Sequence, residues 1–331
     1  MEKKVILTDR YDILKVFSTI LVVVAHITKF YSYEGGVFEV PSNPILDYIT
    51  NFIYSFHMPL FIFLSGAIFC ECIRRGKYDN FVSFVNNKFK RLMIPYFVWG
   101  LFYVAPVMVC LKITDLTYVQ YVVQGIFCEL NSRHLWFLWV LFFCFVIIRF
   151  LKPIMCKGLK AQGVILFLSL GMAIVSPYFP GIFGINHVMY YVFYFVLGYL
   201  FHQKQVKIDK FLQGKWYLSI LLFVMVVFGV KYIYLVSSVL VALIGIIFCY
   251  SVVANMGTGI VQTRIYKGIQ KNSFGIYLFY PMMIYVVFYL FKEVNPYIFC
   301  IIVFGVVFFG SYIMTELFRV LKLGWIFGEV R

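Results

Sequence analysis

Ile13-Leu14-Lys15-Val16-Phe17-Ser18-Thr19-Ile20-Leu21-Val22-Val23-Val24-Ala25-His26-Ile27-Thr28 opens an apolar run that extends to residue 33. That is the length a helix needs to cross the ~30 Å hydrocarbon core of a bilayer at ~1.5 Å per residue. Comparable runs recur along the chain, at roughly 45–70, 92–111, 134–151, 163–179, 188–202, 216–235, 236–255, 273–291 and 297–318. Of the 331 residues, 63% are hydrophobic and 13% charged, and the mean hydropathy is +0.91. A water-soluble core of this size cannot hide so much apolar surface, whereas a bilayer accepts it as solvent. The expected fold is therefore all-α: a polytopic integral membrane protein with about ten transmembrane helices, forming a single membrane domain over residues 1–331. The first twelve residues are polar and no small-residue cleavage site follows the first run, so Met1 onward is expected to be retained.

The chain carries 29 Lys+Arg against 14 Asp+Glu, a formal charge of +15. In a soluble protein that excess would suggest nucleic acid, but here the cations sit in short loops between apolar runs, which points to membrane lipid and not to nucleic acid. With both termini in the cytoplasm, 24 of the 29 basic residues fall on the cytoplasmic side, leaving Lys29, Lys112, Arg133, Lys231 and Lys292 at or near the other face. The positive-inside rule then sets the orientation, as expected for a multi-pass protein of the inner (plasma) membrane. The eight cysteines lie mainly within apolar runs without metal-type pairing, so they read as small hydrophobes and no metal site is expected. Residues 117–130 are apolar but carry Gln120, Gln124 and Glu129, which suits a segment lying at the outer interface.

Ionisable side chains within spans are costly, and each is a functional candidate. Lys15 and His26 lie eleven residues apart, three turns plus about 20°, so they share a helix face about 16 Å apart along the axis. One reading is functional; the other is a snorkelling lysine and a core histidine bonded to a neighbouring helix. His57 sits in Ser55-Phe56-His57-Met58-Pro59-Leu60-Phe61, where Pro59 removes a backbone donor. Farther along the same span, Ser65-Gly66 suits a tight helix-helix contact. The fourth span opens with Arg133-His134-Leu135-Trp136, either an interfacial anchor or a group of polar contacts near the outer face. Lys88-Phe89-Lys90-Arg91 forms a basic cluster leading into the third span, fit for lipid headgroups or for a phosphate-bearing donor. Glu316 and Arg319, at i and i+3, read as a local ion pair. No phosphate-binding loop, dinucleotide fingerprint or nucleophile elbow is present.

In order, Asp12-Ile13-Leu14-Lys15 with His26, His57-Met58-Pro59-Leu60-Phe61 with Ser65-Gly66, Lys90-Arg91-Leu92-Met93-Ile94-Pro95-Tyr96, His134-Leu135-Trp136-Phe137 and Ser273-Phe274-Gly275-Ile276-Tyr277-Leu278 resemble membrane-bound acyltransferase family 3 over essentially the whole chain. The pattern is most similar to its fucose 4-O-acetylase-like branch. The sequence departs from the family at Lys15, where arginine is usual, and at Tyr280, where histidine is often found. The resemblance implies an O-acetyltransferase that uses acetyl-CoA from the cytoplasm and a saccharide acceptor of the cell envelope or exopolysaccharide, lipid-linked or otherwise presented at the membrane, with no tightly bound cofactor. His26 and His57 are then the candidate catalytic residues, with His26 as general base. Lys15, Lys90 and Arg91 are candidates for the donor, and Arg133, His134 and Trp136 for the acceptor and the oxyanion. The competing class is a flippase or exporter of polysaccharide intermediates without acyl-transfer chemistry.

Overall fold

The computed structural model describes residues 2–33, 38, 40–232, 237–256, 258–291 and 295–329. The joint between the seventh and eighth spans, Lys231 to Ser238, lies largely outside the described residues, as do the side chains of Lys3, Lys4, Lys231, Lys292 and Arg331. The described residues are mostly helical and contain no strand. Nine of the helical stretches among them are long and apolar enough to cross a membrane, and Trp216–Gly229 is a shorter apolar helix. Among the described residues, each of the ten expected segments is predominantly helical.

Contacts divide the chain into two compact units, residues 1–61 with 204–317 and residues 62–203 with 318–331. The first contains α1 (Glu2–Thr28), α2 (Pro44–Tyr54), the start of α3 (His57–Arg74), the end of α10 (Ile185–Leu212), α11 (Trp216–Tyr232), α12 (Ser237–Asn255), α13 (Arg264–Leu290) and most of α14 (Pro296–Val320). Here α1 packs against α2, α12 and α13. Val22, Val23 and Ile27 of α1 and Phe30 of the 3₁₀ turn that follows it meet Ile276, Tyr280, Ile284 and Phe288 of α13, and Phe299, Val303 and Val307 of α14 complete this core. The helix α2 begins where its sequence dictates: the Asn43 side chain accepts hydrogen bonds from the backbone N–H groups of Ile45 and Leu46, and Pro44 occupies the first turn, where a missing N–H costs nothing. A buried hydroxyl pair, Thr50 Oγ1 to Thr28 Oγ1 at 2.7 Å, ties α2 to α1.

The second unit contains the rest of α3 and α10, a third span, Phe81–Cys110, made of α4 (Phe81–Lys88), α5 (Ile94–Trp99) and α6 (Ala105–Cys110) with π turns between them, the short α7 (Tyr118–Tyr121), α8 (Trp136–Met155) and α9 (Leu159–Val175). Those turns, Phe89–Met93 and Gly100–Val104, each stand just before a proline, Pro95 and Pro106. A proline ring clashes with the carbonyl four residues earlier, here Arg91 and Phe102, and the wider π turn relieves that clash without ending the helix. Tyr118–Tyr121 and the π turn Val122–Phe127 span ten residues, about 15 Å of helix and too short to cross the hydrocarbon core. Helices α3 and α10 approach backbone to backbone: a Cβ on Gly66 would fall on the carbonyl of Phe195, and a Cβ on Gly198 on the carbonyl of Phe63. Glu71 of α3 is buried against His202 of α10 at 3.0 Å and bound by Arg74 and Arg75, each at 2.6 Å. Without this pairing a carboxylate in such a place would be untenable.

Glu316 of α14 bonds across to α13, to Lys271 at 2.9 Å and Asn272 at 2.8 Å, and Arg319 donates to Glu329 at 2.7 Å.

The glycine crossing supplies a test. Gly66→Val should lower the detergent melting temperature sharply, because neither backbone can yield, and overpacking of this kind costs about 1–3 kcal/mol or more. Gly171→Ala, where nothing lies within 4 Å, should leave melting unchanged. Equal melting of both variants would contradict the packing.

Candidate functional site

In the first unit the chemistry gathers where the second span breaks. Pro59 cannot donate to the Ser55 carbonyl and its ring crowds it. The helix accordingly stops at Tyr54 and restarts at His57. Ser55 Oγ donates to the carbonyl of Phe52 at 2.7 Å. His57 Nδ1 lies 2.9 Å from the Ile53 carbonyl, and since a carbonyl only accepts, Nδ1 carries the proton. The neutral ring then presents a bare lone pair at Nε2. That atom is buried without a hydrogen-bond partner in a residue 1% exposed, an arrangement costing about 1–3 kcal/mol.

The Tyr54 ring, last in α2, stands between the two histidines. His57 meets it edge-on at 4.9 Å and His26 of α1 stacks on it at 5.8 Å. Tyr280 of α13 approaches His26 edge-on, its hydroxyl 3.2 Å from His26 Nδ1. The Lys29 ammonium lies over the Tyr54 ring at 5.0 Å, the distance of a cation–π contact. His26 is half-buried, whereas His57 is buried. Lys15 is half-buried on α1, three turns toward the N-terminus, and its carbonyl accepts from Thr19 Oγ1 at 2.9 Å. Lys15, His26 and His57 thus fall together in this unit, with the two histidines around one tyrosine ring. Tyr54 was not among the residues expected; with 26 tyrosines in the chain, one at a span end carries no distinguishing signal.

The remaining candidates belong to the second unit. Lys90 and Arg91 ride on the first π turn with exposed side chains. Arg133, His134 and Leu135 form one 3₁₀ turn leading into α8; Arg133 has φ +55°, and His134 is buried. Trp136 opens α8, its ring 5.2 Å from His187 and 4.9 Å from Tyr191 of α10. Beside this turn is a residue the sequence reading passed over as interfacial polarity. Glu129, itself left-handed at φ +58°, is 4% exposed; Oε1 accepts from Ser132 Oγ at 2.7 Å, and Oε2 has no hydrogen-bond partner. Burial pushes the Glu129 carboxyl up to about 7, against the opposing pull of the Ser132 hydroxyl.

Comparison with known proteins adds the family. A family described as an acyltransferase domain matches residues 9–316. The chain is 25% identical over 195 residues to the nodulation protein NolL of Mesorhizobium japonicum, an alignment covering 58% of this chain and 47% of that protein. The chain therefore spans about half the length of the curated relative it matches. No solved structure matches.

Glu129 supports a pH prediction. Its folded-state pKa, about 7, stands above its ordinary 4.5, so the protonated form is the one folding favours. Stability should be full below pH 4.5 and fall as pH rises toward 7, by up to about 3 kcal/mol at ~1.4 kcal/mol per unit. Glu129→Gln should remove this component, so that the variant gains melting temperature relative to the parent between pH 5 and 8. A constant difference across that range would show that Glu129 does not titrate there.

Proposed function

We propose, on the premise that the chain belongs to the acyltransferase family matched by its residues 9–316, that this membrane acyltransferase moves acetyl from acetyl-CoA to a hydroxyl of a cell-envelope or exopolysaccharide sugar. The observation that carries the reading is His26: half-buried in an apolar first span, bonded at Nδ1 to Tyr280, and stacked on a tyrosine ring backed by a second histidine.

Acyl transfer from a thioester needs a base for the acceptor proton and a donor or cation for the developing oxyanion. With His26 Nδ1–H donating to the Tyr280 hydroxyl oxygen, Nε2 is the nitrogen that takes the proton from the acceptor hydroxyl as the oxygen attacks the thioester carbonyl. The tetrahedral oxyanion then collapses, the carbon–sulfur bond breaks, and the imidazolium returns the proton to the leaving thiolate. An orienting partner on the far nitrogen is the usual way to fix a catalytic histidine's tautomer. His57 plays a supporting part: its Nδ1–H bond to Ile53 locks the ring against Tyr54, which holds the His26 face. Lys15, Lys90 and Arg91 are assigned to the anionic part of the donor, and Arg133, His134 and Trp136 to the acceptor and the oxyanion. The cytoplasmic placement of both termini and the fucose 4-O-acetylase-like specificity belong to the same proposal. A flippase without transfer chemistry gains nothing from the family match.

Three variants test it, with thiol release from acetyl-CoA as readout. His26→Ala should lower the rate by 10²- to 10⁴-fold, the range of general acid–base catalysis, with melting nearly intact, and His26→Gln should do the same. Tyr280→Phe, which loses only the orienting hydroxyl, should cost roughly tenfold in kcat with KM unchanged, as expected for one neutral hydrogen bond of about 1 kcal/mol. Near-parental turnover in both His26 variants would remove His26 from the mechanism. Separately, Lys15→Ala should raise the KM for acetyl-CoA and Lys15→Arg should be tolerated; if KM and kcat are unchanged in Lys15→Ala, the lysine has no role in donor binding.

A further inference from the structure

The matched domain ends at residue 316, but the described chain continues to 329, and that tail is firmly placed. Helix α14 closes in a left-handed turn at Lys322, φ +60°, with Lys322 N–H bonded to the Arg319 carbonyl and Leu323 N–H to the Phe318 carbonyl, both 2.9 Å. This is the paired closure that usually places glycine at the left-handed position. The following 3₁₀ turn, Gly324–Phe327, docks on the third span. Trp99 Nε1 donates to the Ile326 carbonyl at 3.0 Å, Trp99 stacks on Phe327 at 5.8 Å, and Ile326 and Phe327 are buried. Gly328, φ +66°, lies against the backbone of Arg91 so closely that a Cβ would fall on its carbonyl.

Between this tail and the π turn of the third span is a cleft of about 470 Å³, within the range of small-ligand sites. Lys90, Ile94, Arg319, Lys322, Trp325 and Glu329 line it. Three cations face one carboxylate, and the Arg319 guanidinium is already turned to an anion, Glu329 Oε1. Trp325 is half exposed at the cleft, although it belongs to a turn whose next two residues are buried. A tryptophan beside fixed cations is the combination that takes an aromatic base together with its phosphates. A lysine held left-handed where glycine would be free is a cost of order 1–3 kcal/mol, of a kind that concentrates at functional sites.

We propose that the tail 318–329 and Lys90 form a binding cleft for an adenine nucleotide, with Lys90, Arg319 and Lys322 on its phosphates and Trp325 stacked on its base. Resting on the acyl-transfer reading, the occupant is the adenosine 3′,5′-bisphosphate end of acetyl-CoA. Glu329, which accepts from Arg319, then yields Arg319 to a phosphate.

The test is titration of adenosine 3′,5′-bisphosphate and, separately, pyrophosphate into the full-length protein in phosphatidylcholine and in phosphatidylglycerol nanodiscs. Trp325→Ala should weaken nucleotide binding about 5- to 100-fold, as base stacking of ~1–3 kcal/mol implies, and leave pyrophosphate affinity alone. Lys322→Gly should weaken both ligands several-fold while the melting temperature holds or rises, since the strain is relieved. Glu329→Gln should tighten both. Nucleotide affinity unchanged in Trp325→Ala and Lys322→Gly overturns the proposal, as does binding lost in phosphatidylglycerol discs, which would assign the cleft to lipid headgroups. The two readings fail separately. If thiol release proceeds with parental KM in Trp325→Ala and Lys322→Gly, the cleft is wrong and the acyl-transfer reading stands. If the nucleotide binds as proposed and no thiol is released from acetyl-CoA, the cleft stands and that reading falls.

Discussion

A single missing backbone proton, that of Pro59, organises the candidate site. In water a broken helical hydrogen bond is replaced by solvent; within an apolar span it must be replaced by the protein. Where the span breaks ahead of Pro59, the Ser55 hydroxyl donates to the Phe52 carbonyl and the His57 ring to the Ile53 carbonyl. The second of these determines which nitrogen of His57 is protonated and leaves the other buried without a partner. It also turns the imidazole edge onto Tyr54, whose ring stacks on His26. The break, the tautomer of His57 and the ring that stacks on His26 thus meet at one interruption of the span.

Much of this was legible in the sequence because the bilayer makes the pattern simple. Apolar runs of bilayer length marked every span, and the scarcity of ionisable residues within them made Lys15, His26 and His57 conspicuous. Pro59 two residues after His57 already predicted a perturbed helix. What sequence could not supply was partnership. Tyr54 and Tyr280 are two among many aromatics, and only the fold shows that they bracket His26. Nothing in the sequence marks the bonds of Glu316 to Lys271 and Asn272 of α13, some 45 residues back. Glu129 looked like interfacial polarity, but a left-handed backbone turns its carboxyl into the protein.

The two units carry different chemistry. The first holds the histidines and the tyrosine ring between them. The second holds the basic π turn, the 3₁₀ turn with its buried histidine, and a docked tail beyond the matched family domain. The π turns are themselves the trace of two prolines accommodated without breaking the span, and one of them places Lys90 at the rim of the cleft. Backbone irregularity in this protein recurs where a proline forbids a regular helix, and candidate functional groups cluster at those positions.

The central claim, that this membrane protein transfers acetyl rather than moving a saccharide across the bilayer, is tested most directly by radiolabel. Detergent-purified protein, with no membrane and no gradient, is incubated with acetyl-labelled acetyl-CoA and envelope polysaccharide, and label on the saccharide and free thiol are both counted. The account predicts label on saccharide hydroxyls, with matching thiol release, in the parent protein and neither in His26→Ala. Absence of both from folded parent protein, with saccharide transport intact in proteoliposomes, would contradict it.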